Sequence, residues 1–240
     1  MPGDADRERL KPPPIRKLAW EALSARELAR LLAAAPSLRG APRGTAPVVV
    51  LPGFRLGDMS TFPMRQFLRR LGHTVDGWGL GVNRGDVPTL MPQVAQGVAE
   101  IARRRGEPLH LIGQSLGGVL ARETARDRPD LVAQVITIGS PVVGGPSYTR
   151  VAIAYADQRL AEIRRRIEER DRTPIRVPIT AVYSRHDGIV AWQACIDHAN
   201  PRVEHVEVGS SHLGMALDPT VWGLVAERLS EEAGPSRASP

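Results

Sequence analysis

Gly113-Gln114-Ser115-Leu116-Gly117 stands between a short apolar run, Pro108-Leu109-His110-Leu111-Ile112, and a segment patterned like a helix that packs on a sheet, Gly118 to Ala125. A chain that must pass from a buried strand into a helix within so few residues has little choice of backbone. The serine is driven onto a sharp, strained turn, and the flanking glycines leave room for neighbouring chain. Such a strand–turn–helix is a nucleophile elbow, which presents a serine hydroxyl at the end of a strand.

A serine hydroxyl is a weak nucleophile until a base takes its proton, and that base needs a carboxylate to hold its tautomer and orientation. After an elbow of this kind the expected chain order is Ser, then Asp or Glu, then His. Val177 to Tyr183 has the composition of a strand, and Ser184-Arg185-His186-Asp187-Gly188-Ile189-Val190 is the loop that leaves it. Val203 to Val208 alternates like another strand and runs into Gly209-Ser210-Ser211-His212-Leu213-Gly214. Asp187 and His212 both fall just past strand carboxyl ends, where ligands bind in open α/β sheets. The candidate catalytic set is therefore Ser115, Asp187 and His212. His73, His110 and His205 belong to strands and His198 follows a helical stretch. The rival acids Asp197 and Asp218 do not follow strands.

An acyl-transfer site also needs backbone donors aimed at the oxyanion. One should be the N–H of Leu116, after the nucleophile. The other should come from the loop after an earlier strand, which makes Phe54, in Pro52-Gly53-Phe54-Arg55 after Pro47 to Leu51, the second donor. Gln114, Trp78, His186, Ile189, Val190 and Leu213 are the candidate pocket residues by their nearness to these pieces. Trp78 lies in Gly77-Trp78-Gly79-Leu80-Gly81, which follows a strand rather than opening a helix and so reads as site wall, not a dinucleotide loop.

Along the body, strands are expected near 47–51, 73–78, 108–113, 132–138, 177–183 and 202–208. Helices are expected near 59–71, 90–105, 115–127, 189–198 and 218–230. This alternation predicts an α/β fold, a doubly wound, mostly parallel sheet of about six strands. The longest departure is 142–176, where Ile153, Ala156, Leu160, Ile163 and Ile167 share one face opposite Arg164, Arg165 and Glu168, a candidate helical cap or lid. Residues 1–45 form an N-terminal helical extension, with Leu18, Trp20, Leu23, Leu28, Leu31 and Leu32 at helical spacing. The core domain covers 46–230, and 231–240 reads as a disordered tail.

The chain resembles the α/β-hydrolase superfamily, and within it the small bacterial esterase/lipase-type serine hydrolases. The resemblance is carried by Val48 to Phe54, Leu68 to His73, Gly77 to Asn83, His110 to Gly118, Ile138-Gly139-Ser140-Pro141, Tyr183 to Val190 and Ser211-His212. It implies hydrolysis of carboxylic esters by a Ser–His–Asp triad, without a cofactor. Pro52 stands where many relatives carry His, and Gln114 where His is common. A thioesterase or acyltransferase would use the same triad, and a non-catalytic lipid- or partner-binding protein could keep the scaffold.

Composition narrows the partners. At 240 residues and 42% hydrophobic content the chain can bury a full core. Cys195 is alone, so neither a disulfide framework nor a thiolate metal cluster follows, and no metal-ligand spacing occurs among the histidines. The net charge of +6 comes from arginine, since Lys11 and Lys17 are the only lysines. Those arginines are dispersed and aromatics make up only 4%, so no nucleic-acid platform is expected. Peripheral contact with an anionic membrane is compatible with the charge and the N-terminal helix. Met1 to Arg9 is polar and no apolar run could cross a bilayer, so a cytoplasmic location is expected. The expected partner is a small-molecule ester, including lipid esters; the sequence leaves the oligomeric state open.

Overall fold

A computed structural model describes residues 10–22 and 24–231, without the side chain of Glu231. The first nine residues and the expected tail beyond 231 lie outside the described residues.

Six parallel strands form one sheet, β1 (Pro47–Leu51), β2 (Thr74–Gly77), β3 (Leu109–Gln114), β4 (Val132–Ile138), β5 (Ile179–Tyr183) and β6 (Val203–Glu207), in the order β2-β1-β3-β4-β5-β6. Between and around them run α1 (Leu18–Glu21), α2 (Ser24–Leu38), α3 (Asp58–Arg70), α4 (Val87–Arg105), α5 (Leu116–Asp127), α6 (Asp157–Asp171) and α7 (Pro219–Glu231). Strand side chains alternate between faces, and both faces are covered, which is why β1 can be apolar at every position. Val48 and Val50 pack with Phe67, Leu68, Trp222 and Val225 of α3 and α7. Val49 and Leu51 pack on the other side with Val94 and Val98 of α4 and Leu120 of α5. In α4 the buried residues Leu90, Val94, Val98 and Ala102 recur every four positions, and the helix stops at Gly106, whose φ is +77°.

The register brings the strand ends together. Leu51 is opposite Gly113, Gln114 opposite Ile138, Ile138 opposite Val182, and Tyr183 opposite Glu207. The loops that follow β1, β3, β4, β5 and β6 therefore emerge along one edge of the sheet.

Two expected elements differ. The helix expected over 189–198 is only a short 3-10 turn, Trp192–Cys195. Upstream of it the Ile189 and Val190 N–H groups donate to the Asp187 carboxylate, and Ala191 N–H donates to Tyr148 O, so the donors a helix would need are used elsewhere. The insertion breaks into 3-10 turns at Gly145–Tyr148 and Arg150–Ala154 before α6 begins. Ile153 is consequently 95% exposed and Ala156 stands outside α6 as its N-cap, so neither joins the face of Leu160, Ile163 and Ile167.

Candidate active site

At the elbow, Ser115 has φ +52° and ψ −121° and caps the start of α5. A Cβ on Gly113 would run into the backbone of Gly117, and one on Gly117 into the carbonyl of Leu51. The two glycines thus let β3 turn into α5 directly against β1. Among the described residues, the non-glycine positions with positive φ are Ser115 and Arg55, at +61°, which lies in the loop after β1. Backbone strain is concentrated in these two turns.

The loop after β1 is held by Asn83, which is fully buried. Its side-chain amide donates to Pro52 O at 3.0 Å, its N–H donates to Leu56 O at 2.8 Å, and its carbonyl accepts from Arg55 N–H at 2.7 Å. A Cβ on Gly53 would stand 3.5 Å from Ser115 Cβ, so this loop lies against the elbow. The Phe54 and Leu116 N–H groups make no hydrogen bond among the described residues and are available to an anion.

Asp187 and His212 meet across their loops. Asp187 Oδ2 is 2.6 Å from His212 Nδ1, and both residues are buried, at 2% and 4% exposure. A carboxylate only accepts, so Nδ1 carries the proton and Nε2 is left as the proton acceptor. Asp187 Oδ1 takes the N–H groups of Ile189 at 2.8 Å and Val190 at 2.6 Å, which fix the orientation of the carboxylate. Burial opposes charge on His212, but the Asp187 carboxylate beside it, the hydrogen bond to that carboxylate and the nearby Glu21 outweigh it and raise its pKa above 6.5. The His212 ring comes next to the elbow through Gly139. Ser115 N–H donates to Ile138 O at 2.8 Å, and a Cβ on the following Gly139, with φ +58°, would be 3.1 Å from His212 Nδ1. Gln114 Nε2 also reaches His212 O at 3.4 Å.

The expected pocket residues separate. Gln114 reaches the His212 backbone and Leu213, next to His212, is exposed, whereas the exposed His186 lies against the Trp20 ring and Ile189 packs against the cluster around Val190. Trp78 is instead core, packed with Leu51 and Leu90 and donating from Nε1 to Gly81 O at 2.9 Å. Asp58 accepts from the N–H groups of Trp78 and Gly79, which turns the indole inward. Val190 is likewise core, packed with Ala191, Ala194 and Cys195. The Cys195 thiol has a raised pKa from burial and the nearby Asp187 charge, which leaves it unreactive. Asp197 belongs to an ion cluster with Arg122, and Asp218 accepts the N–H of Thr220 at the start of α7. Sequence reasoning missed Glu21, which carries no motif, and gave Asn83 no role although it ends a glycine-rich stretch. Among the described residues no group of three His, Cys, Asp or Glu could hold a metal ion.

No protein-family model and no curated protein matches this sequence. Solved structures do match it in fold. An α/β superfamily hydrolase from Oenococcus oeni aligns at 16% identity over 80% of this chain and 94% of its own, with a TM-score of 0.57. The Bacillus licheniformis lipase BlEst2 aligns at 15% identity over 78% of this chain and 94% of its own, with a TM-score of 0.61. A thioesterase domain from the curacin biosynthetic pathway aligns at 15% identity, 79% and 93% coverage, and a TM-score of 0.54. The chain has the α/β-hydrolase fold, as the parallel sheet with flanking helices and these neighbours establish together.

Proposed function

We propose that this chain is a serine hydrolase of carboxylic esters, of esterase or lipase type, acting on short- to medium-chain acyl groups. The observation that carries the reading is the buried Asp187–His212 hydrogen bond at 2.6 Å, next to the strained Ser115 turn. His212 Nε2 takes the Ser115 proton as the hydroxyl attacks the ester carbonyl. The N–H groups of Phe54 and Leu116 stabilise the oxyanion, and collapse of the tetrahedral intermediate expels the alcohol, protonated by His212. Water, deprotonated by the same ring, then attacks the acyl-enzyme, and Ser115 recovers its proton as the acid leaves. A thioester substrate would need no change in these roles, and one of the structural neighbours is a thioesterase.

Hydrolysis of p-nitrophenyl butyrate, octanoate and palmitate by wild type and Ser115→Ala tests the proposal. Turnover that disappears in the variant is expected; equal turnover by both would sink it.

Peripheral contact with an anionic membrane is proposed for the N-terminal helices, since Trp20, Leu28 and Leu32 are exposed beside Arg26 and Arg30. No described helix is long and apolar enough to cross a membrane. Co-sedimentation with phosphatidylglycerol vesicles but not with phosphatidylcholine vesicles is the expected outcome; sedimentation with neither removes the idea.

A further inference from the structure

One carboxylate from the N-terminal extension ties together the two loops that carry Asp187 and His212. Glu21 Oε1 accepts the N–H of Gly188 at 2.9 Å and the N–H of His212 at 2.9 Å, and Oε2 accepts the N–H of Leu213 at 2.9 Å. Gly188 directly follows Asp187, and His212 is the base itself. A carboxylate is the side chain that suits three converging donors, because both of its oxygens only accept.

The surroundings are shaped for this approach. A Cβ on Gly188 would collide with the backbone carbonyl of Lys17 and stand 3.0 Å from Glu21 Oε1, so a side chain there would push the segment away. A Cβ on Gly214 would be 2.9 Å from Glu27 Cδ, where α2 passes beneath the His212 loop. Lys17 Nζ donates to Arg185 O at 2.6 Å, and the Trp20 ring lies 4.8 Å from the His186 ring. The extension therefore contacts both loops, at Arg185, His186 and Gly188 in one and at His212, Leu213 and Gly214 in the other.

We propose that Glu21 is a positioning residue of the active centre, which holds the Asp187 and His212 loops in register and adds a second negative charge near His212. This rests on the serine-hydrolase reading above. The charged groups facing His212 are Asp187 from its own loop partner and Glu21 from the extension, with Glu27 of α2 against Gly214 and Lys17 and Arg185 further along the same contact. Both carboxylates favour the imidazolium, consistent with the raised pKa of His212. In Glu21→Gln, an NH2 group must replace one oxygen. At least one backbone N–H then faces a donor, and the negative charge is gone.

The test is the rate at which a fluorophosphonate labels the protein, measured from pH 5 to 9 for wild type, Ser115→Ala, Glu21→Gln, Gly188→Ala and Glu100→Gln. Glu100 is an exposed acid on α4, and its variant controls for loss of one charge. In Glu21→Gln the maximal rate should fall by roughly 10- to 100-fold, the scale of misplacing a supported catalytic group. Its acid limb should move to lower pH, while Glu100→Gln stays at wild-type values. Gly188→Ala, which keeps the charge but displaces the segment, should slow labelling and shift the limb the same way, and it serves if Glu21→Gln does not fold. Wild-type rate and limb in both variants would overturn the proposal. So would a variant that is merely less stable with its limb unmoved. A wild type that is not labelled, or is labelled equally after Ser115→Ala, defeats the hydrolase reading instead. In that event the His212 ring titration by NMR still decides on Glu21, since an unchanged titration in Glu21→Gln overturns its role.

Discussion

In the proposed mechanism Asp187 acts through geometry as much as charge. Its Oδ1 is anchored by two backbone N–H groups, so the other oxygen meets His212 Nδ1 at a fixed angle and selects one tautomer. An amide in its place could present NH2 to the ring and leave the proton on Nε2, where it blocks the base. Asp187→Asn should therefore lower kcat by roughly 10⁴-fold with little change in fold. Steady-state kinetics beside circular dichroism checks this; a loss below tenfold would show that the carboxylate is not the partner that matters. The strands that precede Ser115, Asp187 and His212 are legible in the sequence, and each of the three residues lies within five positions of a strand's end. Trp78 and Val190 turn into the core, and a loop sequence does not say which way its side chains point.

At the scale of elements, α5 and α6 are joined by buried charge rather than by apolar surface. Arg122, 2% exposed, donates to Asp197 at 2.8 and 3.0 Å, to Asp171 of α6 at 3.2 Å and to Glu123 at 3.1 Å. Arg126 donates to Asp171 at 2.9 Å, and Arg170 of α6 reaches back to Glu123 and Asp127. Burial alone would disfavour the Arg122 cation, yet Asp197, Glu123 and Asp171 together raise its pKa. α6 buries no residue completely, so this cluster is what pins its carboxyl end. A pinned end is not what a freely swinging lid over 142–176 would have. Removing Asp197 takes two of the hydrogen bonds from a buried guanidinium, and Asp197→Ala should lower unfolding free energy by about 3 kcal/mol in urea. A change under about 1 kcal/mol, the worth of an exposed pair, would mean that the cluster is hydrated.

For the whole molecule, acid stability follows from histidines held neutral in the sheet. His110, on β3, is held down to about 4 by burial, with His73 nearby adding to the effect, and Gln134 donates to its Nδ1 at 2.9 Å. The unfolded chain takes up this proton near 6.5 and the native state refuses it until about 4. Stability should therefore be full above pH 6.5 and fall through that window by about 3 kcal/mol, at 1.36 kcal/mol per unit. The lowered pKa values of His73 and His205 act in the same direction. His212 has the opposite sign: its raised pKa adds stability that is complete below 6.5 and lost as pH rises through the folded value. Urea unfolding at pH 6.5 and 4.5 tests the sheet histidine; His110→Asn should flatten the difference, and an equally steep loss would assign it elsewhere.

What the sequence determined by itself was everything written in local pattern. The alternation of strands and helices, the elbow, and the order of acid and base follow from side-chain period and from residues adjacent in the chain. What only the tertiary structure decided lies across long gaps in the chain. Glu21 reaches His212 from 191 residues away, and Arg122 finds Asp197 across 75. No period or motif encodes such pairs, because a carboxylate meets its donors only after the sheet has set where each loop emerges.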